Sequence, residues 1–435
     1  MMHDYGIDGV AVQRFGSVTI NGVEERFKNS VDILKNVKAS AEKHNELFYV
    51  MYDISGLSEE NLVEDLKADW QQVILNDLDI TSSPSYAKDN GRPVVCLWGL
   101  GIREGTGEQY SELIDWFHDK GCYVIGGVSK SWRDQIAKDE AMEKAFCKLD
   151  MLSPWSVGSA KTDSDVDSDA SILAADKAYL DEKGIAYQPV MFPGFSWSNW
   201  KDNAVRNQIP RRAGDFMWRQ AYNIAKQDIH CGYIAMFDEY DEGTAILKLA
   251  EDSSMIPKDQ YFITASADGS YTSSDLYMRL AGYIPKVLRG EEEITEEMPL
   301  LLSEGPVYFR SGFEKYFDAQ PVDGNGELVK DELTYNGRYA LKLNRVGGGG
   351  EMLTKLSELD FSAEKINIGI SAYLAGGSAE LSVGLETADG DVLYSDLSFA
   401  NGKWTYNTLT DISVAGKNIT GLILRLKAQM ITRFI

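Results

Sequence analysis

Basic residues are scarce in this chain: 43 Lys and Arg face 67 Asp and Glu, a formal charge of -24 over 435 residues. Binding to phosphate needs basic surface, so the balance argues against nucleic acid as a partner, and equally against an anionic membrane surface. No stretch reaches the roughly 18 apolar residues of a membrane span. Histidine occurs four times, never with a partner at metal-ligand spacing. A zinc hydrolase is therefore disfavoured, and neither a metal nor a cofactor is expected. The four cysteines, Cys96, Cys122, Cys147 and Cys231, are widely spaced and form no CxxC pair. Cys96 and Cys122 fall inside apolar runs, which predicts free buried thiols. Asp163, Asp165, Asp167 and Asp169 alternate in what reads as a loop, without the glycine turn and closing Glu of a calcium site, so a solvated acidic loop is expected. The only dense glycine run, Gly347–Gly350, lies far from any strand–helix unit, so a phosphate-binding glycine turn is missing as well.

What is present is alternation. Apolar strand-like runs at Ile7–Val12, Phe48–Ile54, Val94–Leu100, Cys122–Val128, Met151–Val157, Ala186–Phe192 and Tyr233–Phe237 are separated by helical patterns. The helices are expected at Arg26–Leu47, Ser58–Leu75, Tyr110–Lys120, Lys130–Lys148, Asp169–Lys183 (with Ser168 as N-cap) and Arg212–Gln227, followed by Tyr271–Arg289. Strict alternation with continuously apolar strands predicts a parallel sheet buried on both faces. Seven strands are one short of a closed ring. The expected fold class is thus an α/β (β/α)8 TIM barrel lacking its first strand in this chain, with Met1–Tyr5 read as the tail of the preceding helix. Residues 1–290 form this domain and 291–305, rich in Glu, a linker. After Pro306 the pattern changes to short alternating strands with Asp389-Gly390 and Asn401-Gly402 as hairpin turns, so 306–435 is expected to be an all-β sandwich of jelly-roll type. Such a module either binds sugar or braces the barrel, and Trp404, Tyr373 and Asp323 are its candidate contacts. The final Met430–Ile435 stops where a sandwich would want one further complete strand, as a truncated or altered reading frame would leave it.

In a barrel the functional site is built where strands end. Polar and aromatic residues collect there: Gln13 and Arg14, then Tyr52 and Asp53, then Trp98, Trp155 and Trp197. The last run delivers four carboxylates, Asp238, Glu239, Asp241 and Glu242, before Gly243 turns the backbone away. An acidic turn after a strand is commonly just solvated. Crowded carboxylates, however, push one another's pKa values apart, so one stays protonated near neutrality while a neighbour is ionised. That is general acid/base equipment, and a glycosidic bond is its leading substrate. Among the 22 Tyr, 16 Phe and 9 Trp, those at strand ends are platforms for sugar rings, although each taken singly reads as core. Asp8 is expected to cap a turn or brace Arg14. Arg211-Arg212 is expected to begin the helix before the last strand, with substrate contact left open by its place near the top of the barrel.

The run Met236-Phe-Asp-Glu-Tyr-Asp-Glu-Gly-Thr-Ala-Ile246 resembles the Asn-Glu-Trp-x-Glu-Gly-Thr-x-Ile block of the endo-α-mannosidase group, glycoside hydrolase family 99, and its family 71/99-like relatives. Gly6–Phe15, Arg92–Gly99 and Met191–Trp197 resemble further blocks in the same order. The resemblance implies a retaining glycoside hydrolase acting on α-linked, α-mannoside-type glycans, in an extracytoplasmic setting although no signal peptide is present in this chain. It implies that Glu239 assists attack by the substrate's own 2-hydroxyl and that Glu242 protonates the leaving oxygen. Substrate contacts then fall to Arg14, Tyr52, Asp53, Trp98, Trp155, Trp197, Asp238 and Asp241, and the partner is an oligosaccharide or polysaccharide. The chain departs from the pattern in carrying Asp238 where Asn is usual and Tyr240-Asp241 in place of a Trp-His type pair. A barrel that keeps glycan binding but has lost hydrolysis is the alternative reading.

Overall fold

The computed structural model of the chain describes residues 1–435 apart from 20–23, 202–203, 253–254, 258–259, 269–270, 304–307, 310, 314–320, 322–325, 331–338, 346–349, 377–378, 429–431 and 435. Its first part is built on parallel strands: β1 Gly9–Phe15, β2 Leu47–Asp53, the short β3 Lys88–Asp89, β4 Arg92–Leu100, β5 Tyr123–Ser129, β6 Met151–Trp155, β7 Ala186–Tyr187, β8 Val190–Met191 and β9 Tyr233–Ile234. Hydrogen bonds join them in the order β1-β2-β4-β5-β6-β7, with β3 antiparallel beside β4, and β8 pairs in parallel with β9. Only Gln188 and Pro189 separate β7 from β8. Gln188 N donates to Leu152 O while Tyr233 N donates to Pro189 O, so one run of chain changes neighbour at a proline that has no N–H to give. The seven expected runs are all present.

Their side chains alternate. Ala11, Tyr49, Met51, Cys96, Trp98, Ile125, Trp155 and Tyr233 gather into one interior cluster. Tyr233 of the last strand thereby packs with residues of the early strands, so the sheet curls inward. Val10, Val12, Phe48, Val50, Tyr52, Val95, Leu97 and Val124 face the other way and pack under the helices. This curled, helix-wrapped parallel sheet is consistent with a barrel-like fold, but among the described residues no hydrogen-bonded pairing joins β9 to β1. No described helix is long and apolar enough to cross a membrane.

Helices α1 Met2–Tyr5, α2 Gly16–Thr19, α3 Glu24–His44, α4 Leu62–Asp69 and α5 Gly107–Asp119 precede α6 Trp132–Ile136, α7 Glu140–Phe146, α8 Asp163–Lys183, α9 Asp215–Lys226 and α10 Leu276–Leu288. The single helix expected at Lys130–Lys148 is two, because the Asp139 carboxylate accepts the N–H groups of Ala141 and Met142 and starts a new helix there. Likewise α8 begins six residues earlier than expected. Thr162 and Asp165 form a capping box, so the alternating aspartates are helical and not a loop. Three of them are paired, Asp163 with Arg212, Asp167 with Arg219 and Asp169 with Lys130. His118 bonds Asp150 at 3.0 Å. The acidic linker is tied down: Thr295 O accepts from Trp218 Nε1, and Leu301 O from Arg279. Cys96 and Cys122 are free and buried.

The C-terminal part holds two antiparallel sheets over one apolar core. The five-stranded sheet comprises β10 Glu327–Lys330, β11 Tyr339–Arg345, β13 Lys365–Gly376, β16 Trp404–Ser413 and β18 Thr432–Phe434; the four-stranded one comprises β12 Gly350–Ser362, β14 Ala379–Thr387, β15 Val392–Asp396 and β17 Asn418–Ala428. The expected Asp389-Gly390 hairpin joins β14 to β15; Asn401-Gly402 turns between the bridged Ala400 and Lys403, but the strands on either side, β15 and β16, lie in different sheets. The boundary at Pro306, the candidate contact Asp323, Gly347–Gly349 and, in the terminal run, Met430, Ile431 and Ile435 lie outside the described residues.

Two expected substrate contacts are corrected by the strand period. Arg14 and Tyr52 point outward, and Asp69 at the end of α4 receives both of them: Arg14 donates through Nε at 3.1 Å and Nη2 at 2.5 Å, Tyr52 through its hydroxyl at 2.6 Å. Arg14 is 1% exposed. Asp8, expected to brace it, pairs instead with Arg289. Replacing Asp69 by Ala leaves a buried cation without its acceptors, and the expected cost is about 3–5 kcal/mol. A denaturant melt of Asp69→Ala should show that loss as a lower midpoint at unchanged slope; a midpoint equal to the wild type would contradict the assignment.

Candidate active site

The inward residues at the strand ends converge at the C-terminal side of the sheet. Register aligns Asp53 with Trp98 and Trp98 with Gly127 across β2, β4 and β5. Gly127 has a specific use here, because a Cβ on it would sit 2.6 Å from Trp98 Cδ1; its absence lets the indole lie across β5. Trp155 meets Trp98 edge-on, with ring centroids 5.2 Å apart, and the Arg103 guanidinium lies 5.8 Å from the Trp98 ring centroid. Gln13 donates to Asp53 Oδ2 at 3.0 Å, while Asp53 Oδ1 accepts Ser55 N. Asp53 is buried, so it serves this corner of the site from beneath.

The acidic run follows β9 as a compact loop. Gly243 takes φ +68, the left-handed turn expected of it. Thr244 N and Ala245 N both donate to Glu239 O, Gly243 N donates to Tyr240 O, and Ile246 N closes the base on Met236 O. Glu242 O accepts Ser196 N at 2.8 Å, which ties the loop to the segment that carries Trp197. Trp197 is 36% exposed, and Lys201 Nζ stands 3.3 Å from its ring centroid.

The four carboxylates do not share one environment. Asp238 and Asp241 are exposed, whereas Glu239 and Glu242 are half-buried. Thr244 Oγ1 donates to Glu239 Oε2 at 2.7 Å. Burial raises the Glu239 pKa, the Thr244 hydrogen bond opposes the shift, and the charges of Asp241 and Asp238 add to it. Glu242 is pushed further, up to about 7, first by burial and then by the Glu239 and Asp241 charges, with Lys201 pulling the other way. Burial pushes up the Tyr233 phenol, which also feels Cys96 below and Glu239 and Asp238 above, so its ring joins the interior cluster to the acidic loop. Near neutrality the pair therefore offers a protonated Glu242 beside a more readily ionised Glu239, a proton donor next to a proton acceptor.

Asp53, Trp98, Trp155, Trp197, Asp238, Glu239, Asp241 and Glu242 thus lie at strand ends or on the loops that follow them; Arg14 and Tyr52 also stand at strand ends but turn outward to Asp69. A partly open cavity of about 50 Å³ between β6–β8 and α8–α9, lined by Asp169, Asp176, Tyr187 and Phe192, includes none of Asp238, Glu239, Asp241 and Glu242. Sequence reading did not foresee the contacts of Arg211. As expected it stands at a helix start, as N-cap of the 3-10 turn Arg212–Gly214 that runs into α9, but its side chain lies buried, donating from Nη2 to Gly243 O at 2.9 Å and Ala245 O at 2.7 Å. Its only sequence signal was its place after Ile209-Pro210, which gives no direction to a side chain.

The chain matches no protein-family model and no curated protein. Among solved structures it is similar to the GH99 endo-alpha-mannosidase from Bacteroides thetaiotaomicron, at 14% identity and a TM-score of 0.48 over 66% of this chain and 78% of that one. A modular endo-beta-1,4-mannanase from Cellulomonas fimi, of glycoside hydrolase family 26, is similar at 12% identity and a TM-score of 0.36 over 96% of this chain and 86% of that one. TmCBM61 in complex with beta-1,4-galactotriose is similar at 11% identity and a TM-score of 0.21 over 26% of this chain and 79% of that one. Likeness at this level carries no argument about function.

Because Glu242 binds its proton more tightly in the folded chain, stability falls as pH rises from the ordinary Glu range, near 4.5, through about 7. The full linkage would be about 3 kcal/mol, and solvent screening of a half-open carboxyl reduces it to about 1–2 kcal/mol. Glu242→Gln is expected to recover that amount at pH 8 and nothing at pH 4. Equal unfolding free energies for the two proteins at pH 8 would contradict the shift.

Proposed function

We propose that the protein is a glycoside hydrolase acting on α-linked glycans, with Glu242 as general acid and Glu239 as general base. The observation that carries the reading is the half-buried Glu242, protonated near neutrality, beside Glu239 on one loop at the mouth of the curled sheet. The Glu-x-x-Glu-Gly-Thr run at Glu239–Thr244 supports a retaining course on an α-mannoside-type substrate. In that course Glu239 takes the proton of the sugar's 2-hydroxyl as its oxygen closes on the anomeric carbon, and Glu242 gives its proton to the departing oxygen. Water then opens the strained ring with both protons returned. A neighbouring hydroxyl held in line replaces an enzyme nucleophile, so proximity supplies much of the rate. Trp98, Trp155 and Trp197 offer faces to sugar rings, and Asp53, Asp238 and Asp241 offer hydrogen-bond acceptors. Asp238, an anion where a neutral Asn is usual, favours a substrate with a donor group at that point. In the C-terminal sandwich the same reading gives the Tyr373–Trp404 pair, centroids 5.6 Å apart, and the 62% exposed Tyr406 to sugar binding.

The two acids are separable by leaving group. Glu242→Gln should lower kcat/KM for α-linked oligosaccharides by about 10²–10⁴, and far less for aryl glycosides whose leaving group needs no proton. Glu239→Gln should slow both substrates alike. Wild-type turnover of oligosaccharides by Glu242→Gln would end the proposal, and sugar binding without cleavage by the wild type would favour the non-catalytic alternative.

A further inference from the structure

Arg211 is 2% exposed, an unusual place for a guanidinium. Burying a cation is costly unless acceptors meet it. Here the acceptors are two backbone carbonyls, Gly243 O and Ala245 O, both served by Nη2. The guanidinium carbon lies 4.5 Å from the ring centroid of Tyr277 on α10, and Nε and Nη1 make no hydrogen bond among the described residues. Gly194, in the segment after β8, leaves room for the side chain: a Cβ there would stand 2.6 Å from Arg211 Cγ. Three parts of the fold, the segment after β8, the acidic loop and α10, therefore meet on one side chain.

The two carbonyls are not arbitrary ones. They flank Thr244, whose hydroxyl holds Glu239 Oε2, and the first belongs to the residue directly after Glu242. We propose that Arg211 is a positioning residue for the acid pair: by clamping the carbonyls on either side of Thr244 it fixes where the Glu239 and Glu242 carboxyls stand. In kinetic terms the inference rests on the glycosidase reading; in structural terms it does not. An arginine kept for packing alone would be exchangeable for an apolar side chain of similar volume. This one cannot be exchanged without releasing the loop, because both carbonyls would be left buried without a donor.

The test uses the full chain with Arg211→Met and Arg211→Lys, each checked for folding by circular dichroism. Two readouts are taken: kcat and KM on a cleaved α-linked oligosaccharide, and the titration of Glu242 followed by carbon NMR of labelled glutamate. The groups facing Glu242 in that titration are Glu239 and Asp241 on its own loop, with Asp238 beside Glu239, and Lys201 from the adjoining turn. Arg211→Met should lose about 100-fold in kcat, the scale of an ångström's misplacement, with little change in KM. Its Glu242 midpoint should fall from near 7 towards the ordinary Glu range as the loop opens to water. Arg211→Lys, which keeps a donor and the charge, should regain part of both. A folded Arg211→Met with wild-type kcat and an unmoved Glu242 midpoint overturns the inference. If Arg211→Met does not fold, Arg211→Lys decides alone: reduced kcat at unchanged KM supports the clamp, and wild-type kcat refutes it. If the wild type cleaves no glycoside, the glycosidase reading fails separately and the titration decides: a shifted midpoint supports the clamp, an unmoved one refutes it.

Discussion

Two carboxyls three residues apart, both half-buried, cannot ionise together at ordinary cost, and the site depends on that constraint. Desolvation raises both groups, and each charge then penalises the other. The tie breaks through one hydrogen bond and one cation. Thr244 stabilises the ionised form of Glu239, while Lys201 is held over Trp197 and restrains Glu242 from rising further. Had all four acids been as exposed as Asp238 and Asp241, the loop would be an ordinary solvated turn with no separation of roles.

The fold supplies what such a loop needs to persist. Strand β9 brings it to the end of a curled sheet whose interior is filled by Tyr49, Cys96, Trp98 and Tyr233, so water is excluded from below. Ser196 N and the Arg211 guanidinium hold its backbone from the side. A raised Glu242 pKa means that the folded state gives up stability as pH rises from about 4.5 through about 7, a cost for which the proposed chemistry would account.

Strand and helix order was legible because the apolar runs are long and continuous, and the hairpin glycines announced themselves by their neighbours. The acid pair was legible because like charges at a strand end are costly enough to be informative. Facing was not read correctly everywhere. Arg14 and Tyr52 end their strands, as expected of site residues, but the two-residue period sends them outward to Asp69, a helix residue that nothing local connects to them. Asp139 and Thr162 set helix starts through single side-chain caps that apolar periodicity does not register. Arg211 was read as a helix start, but its buried contacts are with carbonyls, and carbonyls carry no residue identity.

The most direct measurement is mass spectrometry of α-linked oligosaccharides incubated with the protein in ¹⁸O-labelled water. Hydrolysis by the Glu239–Glu242 pair predicts shorter products whose new reducing ends each carry one ¹⁸O, with no unsaturated sugar. Intact oligosaccharides across the whole set, or cleavage without label, would contradict the account.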